Sequence, residues 1–197
     1  MELKIGILAL QGDFEAHSRR VGELGAVPVE VRKPEQLDEV DGLIIPGGES
    51  SVFLHLLGSD GFQRLAEFVR SRPAFGTCAG CILLAREVEN PAQKGIGALD
   101  ITVRRNAYGR QIDSVILEGP STLGGAPLEQ VYIRAPRIDR VGPSVEVLAS
   151  RDGHPVLIRQ GKLLAATFHP ELSADTRVHA LFLRMVEADR EANHRLE

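Results

Sequence analysis

Both cysteines of the chain, Cys78 and Cys81, fall in the stretch FGTCAGCILL between Phe75 and Leu84. Gly76-Thr77-Cys78-Ala79-Gly80 matches G-x-nucleophile-x-G, the pattern of a strand-to-helix elbow that presents its middle side chain to a ligand. Small residues two before and two after the centre let neighbouring backbone approach closely, while the turn holds the middle residue in a sparsely populated conformation. A thiol at a helix start feels the positive end of the helix dipole, which favours thiolate and lowers its pKa from a free value of about 8.5. Such a thiol is nucleophilic near neutral pH. The same pentapeptide also suits a small buried apolar cysteine, the common kind. Cys78-Ala79-Gly80-Cys81 is formally a C-x-x-C at a helix start, the spacing of thiol redox sites. However, Cys81 opens the apolar run Cys81-Ile82-Leu83-Leu84 and reads as core filler. A zinc site needs two further ligands at suitable spacing, and the chain has neither a second C-x-x-C nor two histidines at finger spacing, so no metal is expected.

A thiol nucleophile needs a proton partner, usually an imidazole held by a third group. Of the six histidines, His17, His55, His179 and His194 lie in helical patterns among polar neighbours and read as surface or helix-packing residues, while His154 follows a turn. His169 differs, ending the apolar strand KLLAATFHPE. Pro170 biases His169 away from the α region, and in an extended chain residues two apart share a face. Glu171 is thereby expected beside His169, where a carboxylate can accept the imidazole N–H, fix the tautomer and stabilise an imidazolium. Read blandly, the pair is a strand-end His and Glu in solvent.

A third cluster is PGGESS, at the end of the strand DGLII. Gly47 and Gly48 can turn backbone amides toward a ligand at the same sheet edge, and with the amide of Ala79, the residue after the nucleophile, they could form an oxyanion hole. Glu49 is either a helix-capping carboxylate or the contact of a cationic substrate group. Neither G-x-x-x-x-G-K-[ST] nor G-x-G-x-x-G occurs, which removes the usual phosphate and dinucleotide cradles, and no cofactor is expected.

Alternating short apolar strands and helical patterns must position these clusters. KIGILAL, VPVEVR, DGLIIPGG and PAFGT read as strands; DFEAHSRRVGELG, SSVFLHLL, GFQRLAEFVRS and AGCILLAREVE read as helices. Strand alternating with helix implies a parallel sheet covered on both faces. From Ile101 the texture changes to strand-like runs (ITVRRNA, DSVILEG, QVYIRAP, VEVLASRDG, HPVLIRQG and KLLAATF), with tight connections at Asp152-Gly153 and Gln160-Gly161. A closing amphipathic helix carries Val178, Leu181, Phe182, Met185 and Val186 on one face. The expected fold is α/β, one doubly wound, mostly parallel sheet of flavodoxin-like type with an antiparallel addition, in one domain over residues 1–197.

With 43% hydrophobic and 25% charged residues, a chain of 197 residues has the make-up of a soluble globular protein with a sizeable core. A net charge of −4 argues against nucleic-acid binding, which draws its affinity from clustered Lys and Arg. The N-terminal apolar run is short for a secretory core and no stretch reaches membrane-spanning length, so a cytoplasmic location is expected.

The segments LALQGDF, PGGESS, FGTCAG, RRNAYGRQIDS, YIRAPRI and FHPEL, in that order across nearly the whole chain, resemble the glutaminase subunit of the two-component pyridoxal 5'-phosphate synthase, a class I (triad) glutamine amidotransferase family. The Cys elbow and His-Pro-Glu are shared by several such amidotransferases, whereas RNAYGRQ and IRAP point to this member. The resemblance implies Cys78 as nucleophile, His169 as base and Glu171 as orienting acid. It implies glutamine contacts at Gly48, Glu49, Ser50, Arg105, Ile133 and Arg134; composition and spacing alone do not single out either Arg, since an Arg on a hairpin is usually solvated. Gln11 corresponds to a family residue beside the active site and partner surface, and Cys81 stands where the family usually has an aliphatic residue. The implied activity is hydrolysis of L-glutamine to glutamate and ammonia through a γ-glutamyl thioester, with ammonia passed to a synthase subunit as obligate partner. The rivals are the glutaminase of another synthase, such as the imidazole glycerol phosphate enzyme, a C-x-x-C redox protein, and a non-catalytic module with a vestigial site.

Overall fold

A computed structural model describes residues 2–107 and 114–195. The first half of the chain forms β1 (Lys4–Leu8), α1 (Phe14–Glu23), β2 (Val27–Val31), β3 (Gly42–Ile45), α2 (Ser50–Ser71), β4 (Ala74–Thr77) and α3 (Ala79–Leu84). The second half contributes β5 (Ala85–Glu89), β6 (Leu99–Arg104), β7 (Ser114–Gly119), β8 (Leu128–Ile133), β9 (Arg137–Val141), β10 (Glu146–Arg151), β11 (His154–Gln160), β12 (Leu163–Ala166) and α4 (Arg177–His194). The main sheet has seven strands in the order β10-β11-β12-β4-β3-β1-β2. From β12 to β2 all neighbours are parallel, while β11 pairs antiparallel with both β12 and β10. This is the mostly parallel α/β sheet with an antiparallel addition that the sequence pattern implies.

Its strands are short apolar runs because both faces are covered. Alternate residues feed opposite layers: Leu43 and Ile45 pack with Phe53, Leu65 and Phe68 of α2, whereas Ile44 packs with Val21 of α1 and Val178, Phe182 and Val186 of α4. α2 is broken at Gly58, whose φ of 62° no helix interior adopts, so the two predicted segments on either side form one kinked element. Asp152, with a φ of 50°, and Gly153, with one of 78°, close the β10–β11 hairpin as their sequence suggests.

Two elements differ from expectation. The helix predicted over residues 79–89 stops at Leu84, and Ala85–Glu89 pairs as β5 with β6. All six residues of α3, 79–84, are buried; of the five that follow, only Ala85 and Val88 are, and a distant strand captures the backbone. Strand β9, also unanticipated, is mostly charged and buries only Ile138, so no apolar alternation announces it. It joins β5 and β6 in a three-stranded sheet, and β7 with β8 forms a separate hairpin. Of the predicted strand DSVILEG, Asp113 lies outside the described residues, as does most of RNAYGRQ.

Parallel strands end together at one edge. The chain leaves β1 for β2 on one side and returns to β3 on the other, so a crevice opens beyond β1 and β3. The segments after β1, β3, β4 and β12 emerge there, carrying Gln11 and Asp13, Gly47 to Ser50, Cys78, and His169 in turn.

Candidate active site

Cys78 occupies the turn between β4 and α3 with a φ of 47° and a ψ of −104°, an uncommon conformation for a residue with a Cβ. Its amide is tied to the carbonyl of Ala166 on β12 at 2.9 Å. The flanking glycines make the turn possible. A Cβ on Gly76 would lie 2.5 Å from the carbonyl carbon of Gly80, and one on Gly80 would lie 2.1 Å from the Ile45 carbonyl oxygen on β3. Neither clash is with a side chain that could move aside.

His169 follows β12, its backbone N–H donating to Val131 of β8 at 2.7 Å. Its Nδ1 lies 2.7 Å from Glu171 Oε1, and both side chains are buried. The contact is reached by a route other than the expected extended chain: Pro170–Leu172 is a 3₁₀ turn, and the tight turn brings the carboxylate back under the ring. Opposite, after β3, a Cβ on Gly47 would stand 2.4 Å from the His169 ring. Gln11 clamps the backbone of Glu49, donating from Nε2 to its carbonyl at 2.6 Å and accepting from its N–H at 3.2 Å. Arg105 donates to the Glu49 carboxylate at 2.9 Å.

These groups surround a cavity of about 210 Å³. Cys78, His169, Gly48, Glu49, Ser50, Arg105, Ile133 and Arg134 all line it, together with Asp13, Ile82, Asn106 and Pro136, which sequence reasoning did not single out. Glu171 and Ala79 stand behind the lining.

A model of the SNO glutamine amidotransferase family matches residues 7–188. The chain belongs to the SNO glutamine amidotransferase family. Within it, the chain is 70% identical over 184 residues to the pyridoxal 5'-phosphate synthase subunit PdxT of Koribacter versatilis, covering 93% of this chain and 96% of that one. It is 54% identical to the PdxT of Solibacter usitatus, over 91% of this chain and 97% of that protein. A crystal structure of a glutamine amidotransferase superposes with a TM-score of 0.86 at 43% identity, covering 93% of this chain and 98% of the other. A glutamine amidotransferase from Thermotoga maritima, 17% identical over 96% of this chain and 86% of its own, shares the fold with a TM-score of 0.62.

The electrostatics around this cavity turn on His169. Burial alone would pull its imidazole below the ordinary value; Cys78 and Glu171 outweigh that and raise its pKa to about 10. Nε2 nonetheless has no hydrogen-bond partner of regular geometry among the described residues. The sulfur instead points weakly at the Ile133 carbonyl, 3.9 Å away. The thiol therefore acts on the ring chiefly through its charge, which depends less on alignment than a hydrogen bond does. Cys81 is fully buried, and burial, followed by the neighbouring Cys78, pushes its thiol up to about 12, which leaves it protonated and inert at neutral pH.

Of the two readings, surface or helix-packing, His17 and His179 take the second. His17 and His179 are completely buried and hydrogen-bonded to each other at 2.9 Å. The signal was in the spacing: His17 shares a helical face with Val21 four residues on, and His179 precedes Phe182 by three and Val186 by seven.

Proposed function

We propose that the chain is the glutaminase subunit of a two-component pyridoxal 5'-phosphate synthase, hydrolysing L-glutamine to L-glutamate and ammonia. The observation that carries this reading is the gathering of a strained-turn thiol, an imidazole and the imidazole's carboxylate partner around one cavity that also holds an exposed acid–base pair. The names of the PdxT relatives supply the synthase.

In this reading the Cys78 sulfur, its proton carried by His169, attacks the side-chain amide carbon of glutamine. The amides of Gly48 and Ala79 stabilise the developing oxyanion. Held protonated well above neutral pH, His169 already has the proton that the departing ammonia needs. A γ-glutamyl thioester remains, and water activated by His169 releases glutamate. Glu171 keeps the ring oriented and balances its charge. The α-ammonium of glutamine meets the Glu49 carboxylate, the α-carboxylate meets Arg105 and Arg134, and Ser50 and Ile133 complete the pocket. Ser50 is itself held by Gln93, at 2.9 Å.

Ammonia in neutral water is mostly protonated and no longer nucleophilic, so it passes directly to the synthase subunit. The same subunit completes the oxyanion hole, which keeps the free chain from hydrolysing glutamine wastefully. Among the described residues no helix is long and apolar enough to cross a membrane, and we place the complex in the cytoplasm.

The test is glutamate release with and without a pyridoxal phosphate synthase subunit. Turnover should depend on that subunit, vanish in Cys78→Ala and survive in Cys81→Ser. Persistent turnover in Cys78→Ala would overturn the mechanism, and loss in Cys81→Ser would restore the redox alternative.

A further inference from the structure

Behind Glu171 lies a buried polar network that the mechanism above does not use. One carboxylate oxygen, Oε1, faces His169; the other, Oε2, lies 3.4 Å from Nε2 of His17. Oε2 is buried and has no aligned hydrogen-bond donor among the described residues, so His17 is the group placed to serve it. The same Nε2 is 3.2 Å from Oγ1 of Thr77, the residue before Cys78, and Nδ1 of His17 is 2.9 Å from Nε2 of His179. α1 and α4, which carry the two imidazoles, thus meet beneath the Cys78 elbow.

Proton counting decides which way the network runs. Burial, then the neighbouring His179 and His169, hold His17 well below its ordinary pKa, and burial with Arg20 holds His179 down at about 3, so both rings are neutral. Each has one N–H and one lone pair. With its proton on Nδ1, His17 would accept from the Thr77 hydroxyl at Nε2 and leave that lone pair beside a carboxylate oxygen 3.4 Å away. It would also force the His179 proton onto Nδ1, a buried atom with no partner among the described residues. With the proton on Nε2, His17 donates to Thr77 Oγ1 and keeps the positive end of that N–H near Glu171 Oε2, while its Nδ1 accepts from the N–H of His179. This second arrangement avoids both an electrostatic clash and an orphaned buried donor.

We propose that His17 is a positioning residue: in a tautomer set by His179 its Nε2–H, bonded to Thr77 Oγ1, also turns its positive end toward Glu171 Oε2 and so holds the carboxylate in the orientation that bonds His169. Only the kinetic half of its test rests on the proposed glutaminase reaction.

Two substitutions separate the donor from the bulk of the ring. In His17→Gln the amide nitrogen reaches the place of Nε2, while in His17→Asn it reaches only that of Nδ1. On the chain alone, without substrate, the hydrogen-bonded Nδ1–H proton of His169 is expected downfield in proton NMR spectra of the parent and His17→Gln. It is expected to move upfield or broaden away in His17→Asn. With the synthase subunit present, kcat for glutamate release should fall on the order of ten- to a hundredfold in His17→Asn, by analogy with the loss of outer hydrogen-bond partners behind metal-bound imidazoles. KM for glutamine should stay put, and His17→Gln should recover most of the rate. The same resonance in both variants, or equal rates, overturns the proposal. Should neither variant fold, His17→Phe/His179→Phe, which leaves no orphaned imidazole, takes their place: an unchanged His169 resonance overturns the proposal and a lost one supports it. If the parent releases no glutamate, the glutaminase reading fails and the resonance alone decides the role of His17.

Discussion

An imidazole pressed between a thiol and a carboxylate keeps its proton only as long as both stay, because burial by itself works the other way. Cys78→Ala removes one of the two attractions and leaves burial intact, so the ring titration of His169, followed by NMR, should move down from about 10. A titration point that does not move would show that Glu171 alone holds the proton. Steric limits act at the same scale. Gly47→Ala introduces a methyl 2.4 Å from the His169 ring, at a backbone position without positive φ, so the ring must move while the fold need not. Glutamine turnover should drop by roughly tenfold or more, since displacements of about 1 Å in a reacting group cost that much or more. The thermal midpoint should change little, and full activity would mean that the ring has room to spare.

Between elements, the close approach of α3 to β3 and β4 depends on two absent side chains. Gly80→Ala sets a methyl against the Ile45 carbonyl at 2.1 Å, and that carbonyl belongs to a strand pinned on both sides by β1 and β4. Urea unfolding should show a loss of at least about 2 kcal/mol, as overpacking against backbone leaves nothing cheap to shift. Gly22→Ala is the opposite case. The position lies in the exposed part of α1 with nothing among the described residues within 4 Å of the new methyl, so stability should rise by about 0.5–1 kcal/mol. What the sequence could show follows the same division. The parallel strands and the glycine-flanked elbow were legible because local rules, apolar runs and steric exclusion, govern them. The end of α3 was not, because β5 is captured by pairing with β6 through a connection of nine residues, 90–98, whose path no local pattern encodes. The His169–Glu171 contact was expected through an extended chain and forms through a 3₁₀ turn, since two backbone routes can join side chains two residues apart. Arg105 and Arg134 became visible only through resemblance, because nothing in a hairpin arginine's surroundings in sequence separates a cavity wall from a solvated face. For His17 and His179 the sequence leaves surface and helix packing open, because charged neighbours point outward while the helical spacing points inward.

Across the molecule, three perturbed imidazoles set how stability depends on pH, and they act in opposite directions. His17 and His179 are held below the unfolded value of 6.5, so under acid conditions the unfolded chain binds protons that the folded one refuses. Their contribution is whole above pH 6.5 and is lost as pH falls toward about 3, the value at which His179 titrates in the fold. Each such group costs about 1.4 kcal/mol per pH unit within its window. His169 is raised, so its contribution is whole below pH 6.5 and disappears as pH rises through about 10. The two slopes meet near pH 6.5, where the thermal midpoint should be highest among these imidazole contributions. Asp139 and Asp175, whose carboxylates are held below their ordinary range chiefly by hydrogen bonds from Arg137 and Arg177, add to the acid side. His179→Phe isolates the acid limb. Its midpoint should fall less than the parent's between pH 6.5 and 4.5, because a phenyl ring has no proton to take up on unfolding, while the alkaline decline remains. Parallel curves for parent and variant through the acid range would mean that His179 is already charged in the folded protein, and a charged ring there contradicts the neutral tautomer on which its contact with His17 depends.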